Sequence, residues 1–158
     1  MKRLAGILAL VVLAGFFQAQ AGELPKPGDL VLGGSLGAAT TLEDDWQTQV
    51  GVIFEFWADE VWSYQAGIAW GVDDYDISAY SASAWHFAYS PGSNVFVSAG
   101  IAAANGTGVL ADAGAGLEFF PGTHVSIQLR GDFYYALDNP GDDSRSSYGV
   151  SGALARKW

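Results

Sequence analysis

The side chains of this chain that could do chemistry are mostly carboxylates, and they fall at even spacings. Asp112 and Glu118 share a parity in one segment, and Gln128, Arg130 and Asp132 share one in the next. Side chains of an extended backbone alternate between two faces, so each set lies on one face. Glu55, Gln65 and His86 occupy the same kind of position in earlier segments, between apolar neighbours. Carboxylates around a guanidinium and an imidazole can do general acid–base work, or they can form an ion-pair network that holds the segments in register. Arg130 is the one cation in the middle of these segments and is the expected hub, paired with Glu118, Glu55 or Asp132. A structural network is the favoured reading, because a buried charge must be paired. The four acids Glu55, Asp112, Glu118 and Asp132 outnumber the arginine, so water or a cation is expected among them.

Other motifs carry less. Arg130-Gly131-Asp132 spells an adhesion-like tripeptide, but in the middle of a strand it reads as coincidence, and Asn105-Gly106-Thr107 reads as a turn. The acidic runs Glu43-Asp44-Asp45, Asp73-Asp74-Tyr75-Asp76 and Asp138 to Asp143 could hold divalent cations that bridge them to external phosphates. None has the Gly and Glu spacing of an EF-hand loop, so no calcium site is assigned. No catalytic, cofactor-binding or metal-ligating residue is assigned, and no cofactor is expected. Cysteine is absent, which excludes disulfides, thiolate chemistry and a lipidated N-terminal Cys. With 7 basic and 17 acidic residues the chain is a poor partner for nucleic acid, whose phosphates call for Lys and Arg.

These residues need elements to position them, and the order begins with a leader. Met1-Lys2-Arg3 is a basic start, Leu4 to Phe17 is apolar, and Ala19-Gln20-Ala21 supplies the small residues of a cleavage site. Residues 1–21 are therefore read as a signal peptide cleaved near Ala21, leaving a single domain over 22–158. No later apolar run is long enough for a membrane helix, so membrane residence would require a closed barrel.

From residue 29 onward the period is two. Trp62, Tyr64, Ala66, Ile68, Trp70 and Val72 alternate with Ser63, Gln65, Gly67, Ala69 and Gly71. The same alternation gives eight strands over about 29–40, 46–57, 61–72, 77–89, 95–104, 109–120, 124–137 and 147–158. Their length suits the ~9–11 residues of a tilted membrane-crossing strand. Tight turns at Ala58-Asp59-Glu60, Ser90 to Asn94 and Pro121-Gly122-Thr123 alternate with connections at 41–45, 73–76, 105–108 and 138–146. That order fits a barrel with short turns on one side and longer loops on the other.

A soluble barrel such as a lipocalin would bury its apolar face and charge the other. Here the second face is mostly Gly, Ala and Ser, among them Ser35, Gly37, Gly67, Ala84, Gly100, Gly116 and Ser151, a poor water-facing surface. The first face is too bulky for the interior of eight strands, and facing lipid resolves both conflicts. Aromatics fall near both strand ends, with Phe56, Trp62, Phe87, Tyr89, Phe119 and Trp158 by the turns and Trp46, Trp70, Tyr75, Tyr135 and Tyr148 by the loops. Two such belts suit the two headgroup levels of a bilayer. An interior lined by small residues could be partly open to water or a narrow apolar chain, or its glycines could serve strand coiling alone. The sequence leaves both open.

The last strand reads Tyr148, Val150, Gly152, Leu154, Arg156, Trp158, and Gly114 to Tyr135 reads GAGLEFFPGTHVSIQLRGDFYY. These segments resemble the small OmpA/OmpX-type outer-membrane β-barrels. The resemblance implies an all-β, eight-stranded antiparallel up-and-down transmembrane β-barrel in the outer membrane of a Gram-negative cell. It implies a monomer partnered by membrane lipid and lipopolysaccharide, with Trp158 read by the barrel-assembly machinery. Arg156 departs from the family's apolar or aromatic residue, and a snorkelling side chain or a bulge is expected there. His124-Val125-Ser126 resembles the His-x-Ser pair of the outer-membrane lipid A deacylases, but it follows the Pro121-Gly122 turn, at the wrong end of its strand. The expected function is a structural or surface-contact role in the envelope. The alternatives are binding or transport of a small hydrophobic ligand through the barrel lumen or a lateral opening and, distantly, hydrolysis of lipid A in the manner of the deacylases. A general porin is disfavoured because eight strands enclose too little space.

Overall fold

The computed structural model describes residues 22–41, 46–72, 77–105, 108–137 and 146–158. The expected signal segment 1–21 lies outside the described residues, as do the three acidic runs, Tyr75, Gly106 and Thr107. The eight strands are β1 (Leu30–Thr41), β2 (Gln47–Trp57), β3 (Trp62–Gly71), β4 (Ile77–Ser90), β5 (Ser93–Ala104), β6 (Gly108–Phe119), β7 (Val125–Ala136) and β8 (Ser147–Lys157). Each pairs antiparallel with its sequence neighbours, and β1 pairs with β8 to close the barrel. The expected strands agree with these to within about two residues at either end, because a sustained period of two is a strong local signal.

Parity sets the faces. In β2, Val50, Val52, Phe54 and Phe56 are exposed while Ile53, Glu55 and Trp57 are buried. The outward side chains of the other strands follow suit, including Ile68, Val97, Ile101, Leu117 and Leu154, the last 64% exposed. An apolar surface continuous round the molecule far exceeds the patches of a soluble monomer.

The short connections follow from their residues. Pro91-Gly92 joins β4 to β5 with Gly92 at φ 71°, the Pro-then-positive-φ order that suits a type II turn. One register shift, between Ala88 and Ser90, accompanies it. Gly122 takes φ 111° between β6 and β7, in the region open to glycine.

Large side chains occupy the space beside two of the inward glycines. A Cβ on Gly67 would fall 2.4 Å from the Tyr80 ring, and one on Gly116 would fall 2.5 Å from the Phe96 ring. At these two positions glycine leaves room for a large ring from a neighbouring strand, whereas at Gly33, Gly37, Gly51 and Gly100 the nearest atoms are the backbone of the adjoining strand. At the turn end Val31, Ile53, Trp57, Phe120, Ala153 and Ala155 form an apolar cluster, with Leu24 packed against it. Residues 22–29 lie over this end. The Gly22 N–H donates to the Phe120 carbonyl at 2.8 Å, and Lys157 Nζ donates to the Glu23 carbonyl at 2.8 Å. At the loop end Ala102, Leu110 and Ala136 pack with Tyr80 and Tyr134.

Candidate functional site in the barrel lumen

The polar residues singled out by parity all face the lumen. Glu55 comes from β2, Gln65 from β3, His86 from β4, Asp112 and Glu118 from β6, and Gln128, Arg130 and Asp132 from β7. All but Asp132 are buried, and Asp132 is half-buried. They form two joined sets.

The first surrounds Arg130. Its Nε donates to Asp132 Oδ1 at 2.5 Å, its Nη2 to Asp112 Oδ2 at 3.0 Å, and its Nη1 to Gln65 Oε1 at 2.5 Å. Its Cζ sits 4.4 Å from the centre of the Tyr80 ring, adding a cation–π contact. Asp132 was among the expected partners. Glu55 and Glu118 were expected as well but bond elsewhere, because both lie nearer the turn end, where His86 meets them.

The second set surrounds that histidine. Ser63 Oγ donates to Glu55 Oε1 at 2.6 Å, and Gln65 Nε2 donates to the same oxygen at 2.8 Å. His86 Nε2 is 2.8 Å from Ser63 Oγ and 3.3 Å from Glu55 Oε1. Its Nδ1 faces Glu118 Oε2 at 3.9 Å, and Ser126 Oγ donates to Glu118 Oε1 at 2.7 Å. The imidazole lies between two rings, 4.0 Å from Trp57 and 5.5 Å from Phe96. Gln65 links the sets, since its amide donates to Glu55 while its carbonyl accepts from Arg130.

Ser63, His86 and Glu118 stand in the order of a hydrolytic triad, but they lack its working geometry. The hydroxyl hydrogen of Ser63 goes to Glu55, the His86–Glu118 contact is long, and Ser63 is wholly buried. The His124–Ser126 pair does not assemble either. His124 is exposed in the turn, whereas Ser126 is buried in the lumen on Glu118.

Several contributors escaped the sequence reading. Trp57, Ile53 and Phe96 share the parity of Glu55 and Asn94 and are buried accordingly, yet their bulk suggested nothing about the interior. Ser63 and Ser126 share the parity of the small inward residues, and only their distance from Glu55 and Glu118 reveals them as donors. On the outer face Arg156 keeps the regular register of β8 and lays its guanidinium 3.9 Å from the centre of the Trp158 ring. The arginine therefore snorkels onto an aromatic and no bulge is needed. Trp158 itself is exposed, and its backbone pairs with Leu30.

No protein family matches the sequence, and no curated protein does. Solved structures do resemble it. The N-terminal β-barrel domain of Pseudomonas aeruginosa OprF superposes with a TM-score of 0.67 at 14% identity, over 85% of this chain and 100% of that one. A de novo designed transmembrane β-barrel gives 0.62 at 16% identity, over 85% and 98%. Ail, the attachment invasion locus protein of Yersinia pestis, gives 0.57 at 10% identity, over 84% and 99%. At such identities the likeness concerns the fold. The chain is a closed, antiparallel, all-β barrel of eight strands, the fold of the small outer-membrane β-barrels.

Proposed function

We propose that the protein resides in the outer membrane of a Gram-negative cell and serves a structural or surface-contact role, with a lumen closed to general diffusion. The observation that carries this reading is the crossing of the lumen by Arg130, from β7 to Gln65 on β3 and the Tyr80 ring on β4, inside an apolar outer wall. Lipid and lipopolysaccharide are the partners that suit such a wall, and the exposed Trp158 is the residue offered to the barrel-assembly machinery. Cell fractionation with heat-modifiable gel mobility tests the location, and planar-bilayer conductance tests the closure. Recovery as a soluble periplasmic species would overturn the first claim, and a steady open conductance the second.

A cavity of about 350 Å³ at the turn end supports a second reading. It is lined by Trp57, His86 and Asn94 with Leu24 and Pro25, and it falls in the size range of small-ligand pockets. Binding at one mouth fits this cavity better than passage, because on the loop side the cavity beside Arg130 measures only about 60 Å³.

A further inference from the structure

We infer that Glu55, His86 and Glu118 form a binding site for a divalent first-row metal ion of the Zn²⁺ class. One donor atom from each residue lies within 4.8 Å of the others, and all three residues are almost wholly buried. Each also keeps a buried donor atom without a protein hydrogen-bond partner: Glu55 Oε2, His86 Nδ1 and Glu118 Oε2. Three such orphans in one cluster are expensive, since each forfeits its hydration for nothing.

The surroundings prepare the imidazole as a ligand. Ser63 gives its hydroxyl hydrogen to Glu55, so its oxygen accepts the Nε2–H of His86. The proton is thereby held on Nε2, and Nδ1 carries the free lone pair that faces Glu118 Oε2 across 3.9 Å. Metal-bound histidines have their tautomer fixed in this manner by the partner of the other nitrogen. A metal with bonds of about 2.0–2.2 Å to nitrogen and oxygen can bridge that gap with a small closing movement. Charge agrees, because two carboxylates would balance a divalent ion, and Arg130 is engaged elsewhere by Asp112, Asp132 and Gln65. One imidazole with two carboxylates suits Zn²⁺ and its neighbours better than Ca²⁺, which takes more oxygens. The cavity at the turn end is lined by His86 and gives an ion a way in.

The site is independent of the structural role proposed above. The test uses the barrel refolded in detergent, with Co²⁺ and Zn²⁺ as probes and heat-modifiable mobility as proof of folding. Wild type is expected to retain about one equivalent of Co²⁺ through gel filtration, with visible d–d absorption that Zn²⁺ abolishes. Glu118→Gln and His86→Gln are each expected to fold and to bind at least about tenfold more weakly. A folded wild type that retains no metal overturns the proposal, in favour of a proton shared among the carboxylates. Equal retention by both folded variants overturns it too, assigning the ion to other acids of the chain.

Discussion

Arg130 on β7 and Gln65 on β3 meet across the barrel, Nη1 to Oε1 at 2.5 Å, and the same Gln65 holds Glu55. Through this one amide the two polar sets become a single network spanning β2, β3, β4, β6 and β7. Its stability therefore rests on charges being matched.

Replacement of Arg130 by Met is expected to destabilise the barrel by about 3–5 kcal/mol, because Asp112 and Asp132 are left without their cation. Combining it with Asp112→Asn and Asp132→Asn recovers much of the loss, since no charge then stands unpaired. Urea titration followed by heat-modifiable mobility measures both. Equal loss in the single and triple variants would show that packing rather than charge sets the cost.

Gly67 and Tyr80 are coupled by shape. Gly67→Ala drives a methyl into the Tyr80 ring and is expected to cost about 1–3 kcal/mol. In a Tyr80→Ala background the same change is expected to be nearly free, and a double-mutant cycle measures the difference. Simple additivity would mean that the backbone, not the ring, resists the methyl.

The outer wall is expected to tolerate charge poorly. Val52 is exposed in mid-β2, and Val52→Arg should cost about 2–4 kcal/mol on folding into vesicles. Readout is the folded fraction against urea in lipid. A soluble barrel would accept the change at no measurable cost.

Lys157 ties the segment before β1 to the wall, through the Glu23 carbonyl at 2.8 Å and Asp29 at 4.0 Å. Lys157→Met should leave the strands intact and hasten hydrogen exchange at the Gly28 amide, which bonds to the Trp57 carbonyl. The lost bond is worth about 1 kcal/mol, so exchange is expected to rise by about fivefold.

Sequence alone determined the strands and the side each residue faces. Phe54 and Phe56 lie outside and Glu55 inside because successive side chains of a strand point to opposite faces, a property of the local backbone. Arg156 was legible as an outward exception, although its perch on Trp158 was not. Only the tertiary structure decided which inward residues meet. A slip of two residues between strands leaves every face unchanged, so period two carries no information about height along the barrel. Height follows from the register of all eight pairings and the closure of β1 on β8. That closure gave Arg130 to Asp112 and Gln65, left Glu55 and Glu118 to His86, and seated Tyr80 and Phe96 in notches that the sequence shows only as glycines.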